Sequence, residues 1–195
     1  MKRILVLNID VQNDFARGAL GSPEAITALP IIHAINEYAV AHGYDRAATM
    51  DTHYAETYFD TQEGKNLPVL HTNFNTWGWK LCDEVHANGE LPEITVCKNA
   101  FGSIGFWEEF LVDDEGLFRY DEVWMIGFCT DICVMANFQI LKALFPEVPI
   151  VIISDACAGV TPESHEAALT VLKSCQARVI TWNELQKERE NENEA

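Results

Sequence analysis

The sharpest chemical signal in this chain of 195 residues is Cys133, which closes the run Gly127-Phe128-Cys129-Thr130-Asp131-Ile132-Cys133. With Thr130 as a helix cap, Cys133 falls in the first turn, where unpaired N–H groups and the positive end of the macrodipole favour a thiolate. The same N–H groups can hold the oxyanion formed when sulfur attacks a carbonyl. A buried structural thiol is the commoner fate of cysteine, but the position and the available charged residues favour a nucleophile here. Redox pairing with Cys129 is disfavoured, because three residues rather than two separate the thiols. Lys98 and Asp10 supply what a cysteine nucleophile lacks: a cation beside the sulfur, and a carboxylate that takes its proton and later hands it to the leaving group. Phosphoryl transfer on Asp10 would want a second aspartate two residues on, where Gln12 stands. The glycines at 18 and 21 lack the Lys-Ser/Thr of a phosphate loop.

A second cluster suits a metal. Asp51 and His53 alternate along an extended segment, and Glu63 and His71 lie on the irregular stretch beyond. Two histidines with one or two carboxylates fit Zn²⁺, Mn²⁺ or Fe²⁺. The alternative is a solvated loop with scattered polar residues. An ion would explain how a connection without regular structure is held down. His33, His42, His86 and His165 have no comparable partners and read as surface or capping residues; Cys82, Cys97, Cys157 and Cys175 read as core.

These residues need elements to position them. Short apolar runs recur at Ile4–Ile9, Ala47–Met50, Ile94–Cys97, Glu122–Gly127, Pro149–Ser154 and Arg178–Thr181, apolar nearly throughout, as strands covered on both faces are. Helix-period segments lie between them: Pro23–Ala41, Asp131–Phe145, and a last helix opening at Thr161-Pro162 and running to about Cys175. The alternation predicts an α/β fold, a three-layer α/β/α arrangement around a six-stranded parallel sheet. In such folds the site lies beyond the carboxyl ends of the strands, which is where Asp10, Asp51, Lys98 and Cys133 all fall. The stretch 51–93 shows little pattern apart from a possible short helix near Trp79–Val85. One domain over residues 1–183 is expected, with 184–195 as a charged, flexible tail.

Composition narrows the classes further. There are 30 acidic against 13 basic side chains, a net charge of −17, which argues against nucleic acid and anionic membranes as partners. At 48% hydrophobic and 10% aromatic the chain can bury a real core. No apolar run approaches the roughly 18 residues that span a bilayer. The first residues turn polar too soon for an export leader, so a cytoplasmic location and reduced thiols are expected.

Taken jointly, Asp10-x-Gln12-x-Asp14-Phe15, Asp51-x-His53, Lys98 before Phe101-Gly102, and Thr130-Asp131-x-Cys133-Val134 resemble the isochorismatase-like cysteine hydrolases, and among them the nicotinamidases, from Leu5 to about Ile180. The resemblance implies a catalytic triad of Asp10, Lys98 and Cys133: cysteine attacks an amide carbonyl to give a thioester, aspartate acts as base and then acid, and lysine holds both. It implies a cis peptide between Phe128 and Cys129, with the backbone N–H groups of Cys129 and Cys133 as the oxyanion hole. Phe15 and Phe128 would line the substrate pocket. One divalent metal, zinc before manganese or iron, would be held by Asp51, His53, His71 and, at the position that varies among relatives, Glu63. Pro68 and Thr72 stand where many nicotinamidases carry an aromatic residue and a cysteine. The implied activity is ammonia release from a small-molecule amide, nicotinamide to nicotinate first. Other amide or ureide hydrolysis is the alternative within the family, although the loop offers only Lys65 and Lys80 for a substrate carboxylate. A non-catalytic binding domain is the alternative outside it. Members of the family are often homo-oligomers.

Overall fold

The computed structural model of the chain describes residues 2–105, 111–113 and 115–194. Six parallel strands, β1 (Ile4–Ile9), β2 (Asp45–Asp51), β3 (Ile94–Lys98), β4 (Glu122–Phe128), β5 (Ile150–Ala158) and β6 (Arg178–Ile180), form one sheet in the order β3-β2-β1-β4-β5-β6. Every residue of the central strands β1 and β4 is buried, because helices cover both faces. Alternate side chains divide between the layers. Val6, Trp124 and Ile153 pack with α2 (Pro23–Ala41), while Leu5, Leu7, Val123 and Ile152 pack with α4 (Met135–Leu144) and α5 (Pro162–Ser174). Two short helices, α1 (Asn13–Ala16) and α3 (Gln62–Asn66), lie at the carboxyl edge. Helix starts follow the sequence signals: Ser22 Oγ accepts from Ala25 N at 3.0 Å, and Thr161 and Ser164 form a reciprocal capping box before Pro162.

One buried polar pair joins a helix to the sheet. Asn8 on β1 and Asn36 on α2 exchange two amide hydrogen bonds of 3.1 and 2.9 Å, a buried pair that fixes the helix on the strand. Gly127 sits at φ 120° where a Cβ would lie 2.1 Å from the Ile9 carbonyl oxygen; only glycine lets β4 approach β1 so closely just before the Cys129 turn.

Four expectations need correction. Residues 182–194, read as part domain end and part flexible tail, form helix α6 (Trp182–Glu194). Trp182 and Leu185 enter the core, and Arg189 is buried against Glu122 and over the Trp124 ring at 5.6 Å. Cys97 is exposed, because β3 is an edge strand whose burial alternates, and Cys175, at the end of α5, is half-buried against the core. β5 continues past Ser154 to Ala158, with a register shift opposite Met125 and Gly127. Thr130 does not cap a helix; it begins a π-turn, Thr130–Val134, that leads into α4. Among the described residues no helix is long and apolar enough to cross a membrane.

Candidate active site

The order β3-β2-β1-β4 makes the ends of four successive neighbours adjoin, and it brings Lys98, Asp51, Asp10 and the Cys133 turn to one edge. Asp10, at φ 47°, is fully buried just past β1. Its carboxylate accepts from Thr49 Oγ1 at 2.7 Å and pairs with Lys98 Nζ at 2.6 Å. Lys98 Nζ also lies 3.7 Å from Cys133 Sγ and 3.7 Å from Asp51 Oδ1, so one ammonium links Cys133, Asp10 and the second cluster.

Burial pushes the Cys133 thiol well above its ordinary range, with the Asp10 charge adding to the effect and the Lys98 charge opposing it. This balance favours the thiol form of Cys133 beside the Asp10 carboxylate, where position on the turn alone points to a thiolate. Burial likewise raises Asp10, against the opposing pull of Lys98, and Lys98 stays protonated, its own burial being outweighed by the Asp10 and Asp51 carboxylates. A carboxylate with a raised pKa next to a neutral thiol is suited to taking its proton during attack.

The Cys133 turn is pinned from both sides. Ile132 N and Val134 N donate to the Cys129 carbonyl, each at 3.1 Å, and the Phe128–Cys129 peptide is cis. Thr130 Oγ1 lies 2.8 Å from His165 Nδ1, and Asp131 Oδ1 accepts from Val160 N at 3.1 Å. The buried Asn137 amide donates to the carbonyls of Cys133 and Phe101 and accepts from Ser103 N. Sequence reading gave His165 and Asn137 no part here, because nothing local shows which turn a helix side chain will reach.

Asp51, His53, Glu63 and His71 also converge, their ligand atoms all within 4.8 Å of one another. His53 Nε2 is 3.0 Å from Asp51 Oδ2 and 3.6 Å from Glu63 Oε2; His71 Nε2 is 3.4 Å from Asp51 Oδ2 and 3.5 Å from Glu63 Oε1. His71 Nδ1 faces the Val69 carbonyl at 2.9 Å, which leaves Nε2 as the ligand atom. Burial works against charged imidazoles, yet hydrogen bonds to Asp51 and Glu63 raise His53 to about 9 and His71 to about 10. Those same bonds lower Glu63 to about 2. Two anions thus hold two protons, which a divalent cation would replace charge for charge. The donor set fits a four-coordinate metal.

The polar motif after β1 proves to be the anchor of the long loop. Gln12 Nε2 donates to the carbonyls of Asp51 at 2.9 Å and Trp79 at 2.6 Å, while its Oε1 accepts from Asp51 N. Asp14 Oδ2 accepts from Thr72 N at 2.7 Å, and its carboxylate fills the space where a Cβ on Gly78 would lie. Thr72, buried at φ 42°, donates from Oγ1 to Asp51 Oδ2 at 3.0 Å. A β-branched residue in that conformation is an outlier that the surroundings must enforce, and here it orients a ligand carboxylate. At the loop's far end, buried Arg46 donates to the carbonyls of Val85 and Leu91.

Both clusters open into one cavity of about 750 Å³, whose wall includes Phe15, Phe128, Cys129, Cys133 and the four metal-type ligands. The Phe15 ring stands edge-on to His71 at 5.5 Å.

A model of the isochorismatase domain matches residues 4–184 of the chain. Among solved structures, the chain is similar to a nicotinamidase/pyrazinamidase from Bacillus subtilis, at 26% identity and a TM-score of 0.74 over 91% of this chain and 99% of that one. It is also similar to an N-carbamoylsarcosine amidase from Thermoplasma acidophilum, at 25% identity and a TM-score of 0.69 over 93% and 96%. The fold is shared as well with a pyrazinamidase from Pyrococcus horikoshii solved with zinc, at 23% identity and a TM-score of 0.68 over 92% and 99%. No curated protein matches the sequence significantly.

Proposed function

Because this chain belongs to the isochorismatase family and is a hydrolase of amide bonds, we propose that it releases ammonia from a small carboxamide, nicotinamide in the first instance, through a thioester on Cys133. The observation that carries this reading is Lys98 Nζ, set between the Asp10 carboxylate and the Cys133 sulfur in a buried group beside the cavity.

In this mechanism Asp10 takes the thiol proton as Sγ attacks the amide carbonyl, and Lys98 remains cationic to balance the charge passing between them. The backbone N–H groups of Cys129 and Cys133 receive the oxyanion. As the C–N bond breaks, Asp10 returns the proton to nitrogen and ammonia leaves. Asp10 then deprotonates a water that cleaves the thioester, the proton passes from Asp10 to the departing Cys133 sulfur, and the acid product leaves. Asp51, His53, Glu63 and His71 would hold a divalent metal, zinc before manganese or iron, which when bound supplies a Lewis-acid anchor for a ring nitrogen. Phe15 and Phe128 flank the ring.

The test is ammonia release from nicotinamide by metal-loaded protein and by Cys133→Ala. The variant is expected to lose turnover by about a thousandfold or more, with its unfolding curve unchanged. Substantial residual turnover would remove Cys133 from the mechanism. Turnover of other amides but not nicotinamide would keep the triad and replace the substrate.

A further inference from the structure

The cavity over Cys133 is larger than a pyridine carboxamide requires. At about 750 Å³ it lies in the upper part of the range of about 300–1,000 Å³ that takes drug-sized ligands, whereas nicotinamide is a single ring bearing an amide. The reacting and metal-type residues account for part of the wall. Another part is apolar, formed by Leu20, Ala25, Leu67, Phe101, Ile132 and Val160. Three of these stand open to solvent: Leu67 at 36%, Phe101 at 47% and Val160 at 58%. An apolar rim on a deep cavity marks a binding surface. Charge supplies an independent observation. The described lining residues include Asp51 and Glu63 but no lysine or arginine, and the loop lysines Lys65 and Lys80 are exposed outside the wall. Away from the metal-type cluster, the described wall offers a substrate carboxylate no cationic side chain, so burying one there carries a desolvation cost.

We propose that the substrate of this site is an uncharged primary carboxamide whose acyl group carries an apolar extension, an aryl or branched alkyl unit, seated against Leu67, Phe101 and Val160. The proposal rests on the amidase reading above and names its substrate class, of which nicotinamide is a minimal member. The chemistry is unchanged: the C–N bond breaks, ammonia leaves, and water releases the extended acid from Cys133.

The test compares kcat/KM of the metal-loaded enzyme for nicotinamide, for phenylnicotinamides bearing the added ring at each free carbon in turn, and for the matching carboxyphenyl compounds. At least one phenyl isomer is expected to exceed nicotinamide by roughly tenfold to a hundredfold, the gain that burying such a ring provides, mainly through a lower KM. Its carboxyphenyl counterpart loses that gain. Leu67→Asp and Val160→Asp each lower the ratio of phenyl isomer to nicotinamide towards one. If no isomer exceeds nicotinamide, or if the carboxyphenyl compound equals its phenyl partner, this inference is overturned while nicotinamide turnover leaves the amidase reading standing. Absence of ammonia from every compound overturns both.

Discussion

At the scale of single residues, the site runs on proton placement. Burial favours the thiol form of Cys133, with the Asp10 charge reinforcing that effect and the Lys98 charge opposing it, so attack by the sulfur depends on Asp10 being ionised when substrate is bound. Burial lifts Asp10 above its ordinary 3.8, and Lys98 opposes the lift. The sign follows directly: the base works only when deprotonated, so kcat/KM falls as pH drops through the raised Asp10 value. An acid limb centred above 3.8 is expected in the pH profile, moving further upward for any residual activity in Lys98→Ala, which removes the opposing charge. A limb at or below 3.8 would mean that another group is the base. The same proton placement makes iodoacetamide slow to alkylate Cys133 in the free enzyme, faster above neutral pH. The meeting of Asp10, Lys98 and Cys133 at one sheet edge was legible in the sequence because each lies at or just past the end of a recognisable strand. The protonation state was not, because it depends on how deeply three separate strand ends bury one another.

At the scale of elements, the strands were legible because continuous apolar runs have few other ways to be satisfied. Helix α6 was missed for the opposite reason. Its sequence is mostly charged, and only Trp182, Leu185 and Arg189 mark its inner face. What holds it is an ion pair across 67 residues, Arg189 to Glu122, with Trp124 Nε1 donating to the same carboxylate at 2.6 Å. No local pattern announces such a partner. The contact lies at the amino end of β4, away from the catalytic edge. Removing one member leaves a buried charge uncompensated, so Arg189→Ala is expected to lower the unfolding free energy by about 3 kcal/mol, and Leu185→Ala by a similar amount, about 3 kcal/mol, through the cavity it leaves. Urea unfolding measures both, and activity per folded molecule should stay at the level of the parent. A change below about 0.5 kcal/mol, the usual range for surface substitutions, would return this segment to the flexible tail that its composition suggests.

At the scale of the whole molecule, the stretch between β2 and β3 converts a sheet edge into an enclosed site. It contains only short helical pieces, so its order comes from side chains rooted elsewhere: Gln12, Asn13 and Asp14 after β1, and Arg46 in β2. Sequence reading identified the stretch as one that needs pinning, but not these anchors, because each reaches across several tens of residues. The four-ligand cluster is the remaining clasp. Asp51 and His53 belong to the end of β2, while Glu63 and His71 belong to the loop, so an ion shared among them ties loop to sheet. Such an ion binds the folded chain and finds no assembled site in the unfolded one. The midpoint of thermal unfolding should therefore fall when the protein is stripped with a chelator and rise again with added zinc. The gain follows the free metal concentration, about 2.7 kcal/mol at one hundred times the dissociation constant. In the His53→Ala/His71→Ala variant the midpoint should no longer respond to zinc, and amide exchange across residues 52–74 should match that of stripped parent protein. A wild-type midpoint indifferent to both chelator and zinc would show that the hydrogen bonds from Gln12, Asp14 and Thr72 hold the loop alone, and that the cluster is a charge-balanced polar network and not a metal centre.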